Sequence, residues 1–166
     1  MTKTPELAFF PVRPAGRPSY CERIRGAFAD HLAKNGLRLT RQRRKILERL
    51  VFADRHLGSD DIHRALRKEG IGRVTVFRTL KMLEAARLVD HVAAAGRAPR
   101  FEVKFERPHH DHLVCIQCGA IREVRWPEIE RVQEKTCRAN GFSIAWHRHE
   151  VFGLCRRCSR KGAGRR

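Results

Sequence analysis

The sequence predicts an α+β chain in two parts, a helix-rich first half and a smaller second half that mixes strands with one helix. Three observations lead to this prediction. Four segments with helical periodicity lie within residues 21–86, and two short strand-like runs, LVDHV and RFEV, follow them. After Pro108 the pattern changes to strand-like runs around one helix.

The first helix is expected over residues 21–35, with apolar side chains on one face. Thr40 is the expected N-cap of the second helix and Ser59 that of the third, because their side-chain oxygens can accept from free backbone N–H groups. The fourth helix is expected over residues 74–86. Helices followed by a β-hairpin are the order of a winged helix-turn-helix domain, in which the second helix of the pair commonly enters the DNA major groove.

The second half is expected to run β-β-α-β. The runs HLVC and AIREVR are strand-like, Pro127 starts a helix that ends near Ala139, and FSIAWHRHEVF alternates as a strand. The predicted organisation is a flexible N-terminal arm (1–18), a winged-helix domain (19–103), a hinge (104–108), a small α+β metal-binding domain (109–158) and a basic tail (159–166).

The net charge of +18 and the pI near 11 favour a polyanionic partner, with DNA or RNA ahead of an anionic membrane. The alternative is an arginine-rich but merely solvated surface. The N-terminus shows no usable signal sequence, and no stretch is long and apolar enough for a membrane span. We therefore expect a cytoplasmic protein, whose six cysteines stay reduced. In such a protein, cysteines are expected to be metal ligands rather than partners in disulfides.

Four of the cysteines form two matched pairs, Cys115-x-x-Cys118 and Cys155-x-x-Cys158. A two-residue spacer lets both sulfurs of a pair face one ion, and two such pairs complete a tetrahedron. Four thiolates with no open position are typical of a structural zinc site. The alternative is a redox dithiol or a pair of disulfides. The two remaining cysteines are expected to be ordinary thiols.

The segment before the first pair reads His109, His110, Asp111, His112. Because side chains alternate along a strand, His110 and His112 should point one way, and His109 and Asp111 the other. Nitrogen and oxygen ligands suit Fe(II), Mn(II), Zn(II) or Ni(II), so the two faces could feed two sites. The alternative is a polar linker that binds nothing.

Four motifs together resemble the ferric uptake regulator family of bacterial metal-sensing transcription regulators. They are GLRLTRQRRKIL, RVTVFRTLKML, HHDHLVCIQCGAIREV and GLCRRC, and the resemblance covers about residues 32–158. It implies a homodimer that binds a double-stranded DNA operator, with an N-terminal winged-helix domain and a C-terminal dimerisation domain. It also implies that the four paired cysteines hold structural zinc.

The resemblance further implies two exchangeable metal sites. The sensing site maps onto His56, Glu102, His112 and Glu123. The additional site maps onto His109, Asp111, Glu130 and His147. Peroxide-sensing relatives carry aspartates where this chain has its two sensing glutamates, and zinc-sensing relatives commonly use a cysteine there. The regulatory ion expected first is therefore Fe(II), with Mn(II) or Zn(II) as alternatives.

The sensing ligands come from both halves, so a bound ion would fix the angle between the halves and the spacing of two recognition helices in a dimer. The residues expected to contact DNA are Arg38, Arg41, Arg43, Arg44, Thr75, Phe77 and Arg78. The first four, together with Lys45, are expected at phosphates, which position the protein without reading sequence. Phe77 replaces the usual tyrosine of the family, and Arg41 stands where proline is common.

Two other classes of function compete with this interpretation. A zinc-stabilised nucleic-acid-binding protein would leave the histidines and carboxylates idle and sense nothing. A metallohydrolase would need an open metal position and a general base in a pocket. Because the sequence has no HExxH motif and no nucleophile elbow, we expect no enzyme and no small-molecule substrate.

Overall fold

The structure is a computed structural model that describes residues 17–53, 55–94 and 96–163. These residues form two compact units, 17–107 and 108–163. Their mixture of helices and sheets confirms the α+β class expected from the sequence. Within the described residues, the helices are all too short or too polar to cross a membrane.

The N-terminal unit packs four helices against a small sheet. Its elements are α1 (Arg17–Lys34), α2 (Arg41–Val51), β1 (Leu57–Gly58), α3 (Ser59–Leu66), α4 (Arg73–Ala85), β2 (Val89–Ala94) and β3 (Arg97–Val103), with a 3-10 turn (Arg67–Glu69) after α3. The sheet is antiparallel in the order β1-β3-β2. The order helix, turn, helix, hairpin matches a winged helix-turn-helix domain.

The core of this unit consists of the apolar helix faces that the periodicity predicts. Ile24, Phe28 and Leu32 of α1 are fully buried, as are Ile46 and Leu47 of α2. Burial of this kind of side chain stabilises a fold by roughly 1.5–3 kcal/mol each. The N-terminal unit therefore has a contiguous hydrophobic core of its own.

The helix starts show one expected cap and one difference. Thr40 caps α2 as predicted, because its hydroxyl accepts from the N–H of Arg43 at 3.3 Å. The prediction that Ser59 caps α3 is wrong, since Ser59 is already the first helical residue and Gly58 is the cap. The reason is that Gly58 still pairs with Arg100 in the sheet and therefore keeps the extended backbone of a strand.

The C-terminal unit is a three-stranded sheet with two helices. Its elements are β4 (Asp111–Cys115), β5 (Ile121–Val124), α5 (Pro127–Ala139), β6 (Glu150–Gly153) and α6 (Arg156–Ala163). The sheet order is β5-β4-β6, in which β4 runs antiparallel to β5 and parallel to β6.

Two elements of this unit differ from the prediction. A strand is expected over residues 142–152. The observed strand runs only from Glu150 to Gly153, because only this end pairs with β4. Residues 159–163 of the expected basic tail are helical, since α6 starts directly after Cys155, whose carbonyl accepts from the N–H groups of Cys158 and Ser159. Residues 164–166 lie outside the described residues.

The expected arm and hinge also differ from the structure. Residues 1–16 of the arm lie outside the described residues, but 17 and 18 already belong to α1. In the expected hinge, Phe105 accepts a hydrogen bond of 2.6 Å from Tyr20, and Glu106 accepts from Arg23 at 2.7 and 3.0 Å. Phe105 and Glu106 are therefore held on α1, residues 104–107 belong to the N-terminal unit, and only Pro108 of the expected hinge falls in the other unit.

Candidate functional site

The four paired cysteines of the C-terminal unit converge on one point. Cys115 ends β4, Cys118 lies in the turn that follows it, and Cys155 and Cys158 flank the start of α6. Their four sulfur atoms all lie within 4.8 Å of one another. All four are free thiols, so the set has the donor number and softness that suit a closed tetrahedral zinc site.

The electrostatics of the cluster suit thiolates only in part. The backbone N–H groups of Cys155 and Cys118 lower the pKa of the Cys115 thiol to about 6. The backbone N–H of Ala120 likewise lowers the pKa of Cys118. Burial raises the pKa of Cys158 to about 12. A bound cation would supply the positive charge that holds all four sulfurs as thiolates.

A second cluster brings together the four residues expected to form the additional site. His109 Nε2 lies 3.1 Å from Asp111 Oδ1 and 3.2 Å from Glu130 Oε1, and His147 Nε2 lies 3.0 Å from the same Glu130 oxygen. Asp111 is almost fully buried, whereas His109 is exposed. Glu130 reaches the cluster from the first turn of α5, which the sequence pattern alone reads as a solvated helix face.

The four residues expected to form the sensing site are divided between the two units. In the N-terminal unit, Nε2 of His56 lies 3.4 Å from Oε2 of Glu102, and both side chains are more than nine-tenths buried. The same Glu102 oxygen accepts a hydrogen bond of 2.9 Å from Arg107. A cavity of about 20 Å³, which is room for roughly one water-sized particle, is lined by these three residues together with Tyr20 and Phe101.

In the C-terminal unit, His112 of β4 and Glu123 of β5 are directly opposite each other in the antiparallel ladder. Both side chains are buried. His110, which was not assigned to this site, joins them, since its Nε2 lies 3.9 Å from Glu123 Oε1 and its ring contacts that of His112. Strand alternation already placed His110 and His112 on one face, and this was the signal that could have identified it.

The outer face of α4 carries basic and apolar side chains in solvent. Val76, Leu80 and Leu83 are buried against the core, which leaves the opposite side of the helix in solvent. The exposed residues on that side are Arg73, Val74, Phe77, Arg78 and Lys81. Val74 and Phe77 are 63% and 55% exposed, so this side of the helix presents apolar as well as basic side chains. Val74 and Lys81 were not singled out from the sequence.

The basic residues before and within α2 form a second exposed group in the same unit. Arg38, Arg41 and Arg44 are exposed, and Arg43 is half-buried with its guanidinium on the Arg38 carbonyl. Thr75 of α4 is half-buried and accepts, through its carbonyl, from the hydroxyl of Thr79. All seven residues expected to contact DNA therefore lie in the N-terminal unit, on or next to α2 and α4.

Comparisons with known proteins agree with this architecture. The ferric uptake regulator family model matches residues 34–152. A ferric uptake regulation protein of Neisseria meningitidis is 38% identical over 135 residues, which cover 79% of this chain and 92% of the relative.

Two solved structures are similar over most of the fold. The ferric uptake regulator of Helicobacter pylori, described as having three functional metal binding sites, has a TM-score of 0.74 at 28% identity and covers 89% of this chain and 96% of its own. That of Francisella tularensis, solved with iron, has a TM-score of 0.66 at 28% identity and covers 75% and 96%. The chain belongs to the ferric uptake regulator family of metal-responsive transcription regulators.

Proposed function

We propose that this chain is a cytoplasmic, metal-dependent repressor that binds a double-stranded DNA operator as a homodimer, with Fe(II) as the ion it senses first and Mn(II) or Zn(II) as alternatives. The observation that carries the proposal is the division of the sensing ligands. Each unit presents a buried histidine and a buried glutamate, and neither pair alone satisfies a divalent ion that prefers four or more ligands.

An ion bound by His56, Glu102, His112 and Glu123 would tie the two units to each other. In the metal-free protein the angle between the units would be free to vary, and so would the separation of the two recognition helices in a dimer. Because half-sites on DNA have a fixed spacing, the metal-bound state binds DNA more tightly. The coupling between metal and DNA is then typically about 1–3 kcal/mol.

The other two metal groups have different roles in this proposal. The four cysteines hold zinc permanently, because thiolates in a closed shell bind it tightly and leave no position for exchange. His109, Asp111, Glu130 and His147 belong to one unit, so an ion bound there supports the C-terminal unit without bridging to the N-terminal one.

The homodimer is supported by the apolar surface of the C-terminal unit. Its exposed large apolar side chains are Ile116, Ile129, Val132, Phe142, Ile144, Trp146, Val151, Phe152 and Leu154. A concentration of this kind is typical of a protein interface rather than of a solvated surface. Phe142, Ile144 and Trp146 alternate along a stretch that forms no ladder among the described residues, as expected of a strand whose partner belongs to another chain.

The DNA interface is assigned to the exposed side of α4 and to the arginines around α2. Phe77 and Arg78 face outward on α4, where a phenyl ring can contact a thymine methyl and a guanidinium can read a guanine edge. Thr75 lies near the start of the same helix. Arg38, Arg41, Arg43 and Arg44 are assigned to phosphates, which set register and affinity.

The experiment that tests the function is operator binding measured with each divalent ion in turn, anaerobically for Fe(II). We expect one ion to tighten binding at least about tenfold over the chelator-treated protein that keeps its cysteine-bound zinc. Equal affinity with and without added metal would instead identify a zinc-stabilised DNA-binding protein that senses nothing.

A further inference from the structure

We propose that Arg107 is a built-in competitor of the regulatory metal, because its guanidinium holds the cation position at Glu102 until a divalent ion replaces it. The inference rests on the proposed function, in which Glu102 is a sensing ligand. It concerns a residue outside the two expected ligand sets, and it assigns to that residue the setting of the metal affinity.

The three side chains meet at one oxygen atom. Oε2 of Glu102 accepts from Nη1 of Arg107 at 2.9 Å and lies 3.4 Å from Nε2 of His56. The side chains of Arg107 and Glu102 are 10% and 8% exposed. An ion shared by His56 and Glu102 would bind Oε2 of Glu102, the glutamate oxygen close to His56. Arg107 already donates a hydrogen bond to that same oxygen.

The burial of the Glu102 carboxylate makes its positive partner important. A carboxylate removed from water needs a positive partner or hydrogen-bond donors, and Arg107 supplies both when no metal is bound. A guanidinium stays charged at any physiological pH, so it cannot be neutralised to make room for the ion. An arriving divalent cation must therefore displace the guanidinium or bind close to a fixed positive charge, and either outcome weakens its affinity.

The surroundings leave room for a small ion beside the carboxylate. The cavity of about 20 Å³ beside Glu102 has Arg107 as one of its walls. The guanidinium makes a second, longer contact of 3.4 Å with the Val103 carbonyl. The backbone of Arg107 is held by a turn, through its N–H to the Lys104 carbonyl at 3.1 Å. The exchange therefore requires the side chain to rotate while its backbone remains fixed.

The alternative role for Arg107 is to orient Glu102 for the metal, and the two roles predict opposite changes. If Arg107 orients the ligand, its removal weakens metal binding. If it competes, its removal tightens metal binding. The direction of the change in affinity therefore decides between them, and a general loss of structure would not produce tighter binding.

The experiment uses the full chain with its cysteine-bound zinc and the background substitution His147→Ala, which removes the additional site. Mn(II) affinity is measured by competition with a fluorescent chelator. We expect Arg107→Gln to bind Mn(II) on the order of tenfold more tightly than the parent, as the loss of one nearby positive charge would give. Arg107→Lys, which keeps a charge, should stay within a few-fold of the parent.

The matched control is Arg23→Gln, which removes the ion pair to Glu106 next to Arg107 and leaves the guanidinium on Glu102. We expect its Mn(II) affinity to be unchanged. This control separates the effect of loosening the segment around Arg107 from the effect of removing the Arg107 charge. Should the glutamine variant not fold, Arg107→Met fills similar space without charge. Added Mn(II) should also raise the Tm of the neutral variant more than that of the parent, because tighter binding stabilises the folded state more.

Weaker or unchanged Mn(II) binding by the neutral variants would overturn the inference. Glu102→Gln distinguishes this result from a failure of the proposed function. If Glu102→Gln loses the Mn(II) site while Arg107→Gln does not tighten it, only the competitor role is wrong. If Glu102→Gln binds Mn(II) as the parent does, the sensing-site assignment is wrong, and the competitor role with it.

Discussion

The phenolic O–H of Tyr20 donates a hydrogen bond of 2.6 Å to the backbone carbonyl of Phe105, 85 residues later in the chain. The bond joins the first turn of α1 to the segment that ends the N-terminal unit. The two rings are also in contact, with centroids 6.1 Å apart. The start of α1 therefore determines where that segment lies.

This bond predicts a defined loss of stability at alkaline pH. Burial raises the pKa of Tyr20 from 10.0 to about 12, so the folded state favours the protonated phenol. The stabilisation is complete below pH 10.0 and is lost as the pH rises through about 12. Tyr20 is the only tyrosine, so tyrosinate absorbance reports this titration directly. Tyr20→Phe is the control, and a difference in unfolding free energy that does not shrink across this range would contradict the assignment.

The cysteine cluster predicts a structural role for zinc. We expect Cys118→Ser to lose one zinc per chain and to destabilise the C-terminal unit, because structural zinc contributes on the order of 10 kcal/mol of folding free energy in small modules. Metal analysis and thermal unfolding measure both effects. Cys137→Ser, which removes a cysteine outside the cluster, is the matched control. Full zinc content and an unchanged melting curve in Cys118→Ser would rule the role out.

The α4 surface predicts a separation between specific and general DNA binding. Arg78→Ala should weaken operator binding by roughly 1–3 kcal/mol with much less effect on random DNA, because it removes a contact to a base edge. Arg44→Ala should weaken both and lower the salt dependence, because it removes a phosphate contact. Fluorescence anisotropy at several salt concentrations measures these changes. Equal losses of affinity for operator and random DNA would show that Arg78 contacts a phosphate and not a base edge.

The two histidine clusters at and before β4 predict different losses of metal response. His112→Ala should fold, dimerise and keep its cysteine-bound zinc, yet lose the coupling of about 1–3 kcal/mol between metal and DNA. His109→Ala should retain more of this coupling, since its cluster lies within one unit. Operator affinity with and without Fe(II) or Mn(II), measured anaerobically, compares the two. The reverse order of effects would show that the sensing site was assigned to the wrong cluster.

The apolar surface of the C-terminal unit predicts the assembly state. Trp146 is 73% exposed, and Trp146→Glu should shift the chain from dimer to monomer, because it places a charge within the proposed apolar interface. Sedimentation velocity measures the shift. Phe77→Ala is the control, since it removes an exposed apolar side chain of the DNA-binding unit and should leave the dimer intact. A Trp146→Glu chain that sediments as a dimer would place the interface elsewhere.

The sequence predicts best what depends on local periodicity and spacing. The predicted helix from Pro127 to Ala139 is observed with these bounds, because proline favours a first helical turn and Asn140-Gly141 favours an end. The closeness of the two sulfurs within each CxxC pair follows in the same way from one short spacer. These features are decided by neighbours within a few residues, whereas the meeting of the two pairs joins positions 37 and 40 residues apart and was predicted from the preference of zinc for four thiolates.

Features that depend on distant partners were not predictable. The strand expected over residues 142–152 is mostly without a ladder among the described residues, since alternation indicates a strand but cannot supply the neighbour it pairs with. The anchoring of Phe105 and Glu106 depends on α1, more than eighty residues earlier. Arg107 belongs to no sequence motif, and only the hydrogen bond from its guanidinium to the Glu102 carboxylate distinguishes it from the other arginines.

The C-terminal unit buries few apolar side chains, and among its described residues those that are nearly inaccessible are Val114, Cys115, Val124 and Cys158. Two of the four are members of the cysteine cluster. A unit with so small a core gains its stability by mass action from whatever binds the folded form, which in the proposed function is zinc and a second copy of the chain. In newly made chains, zinc binding and dimerisation would compete with degradation by proteases. Zinc starvation would then lower the amount of the regulator even when iron is plentiful, and so connect the supply of one metal to the response to another.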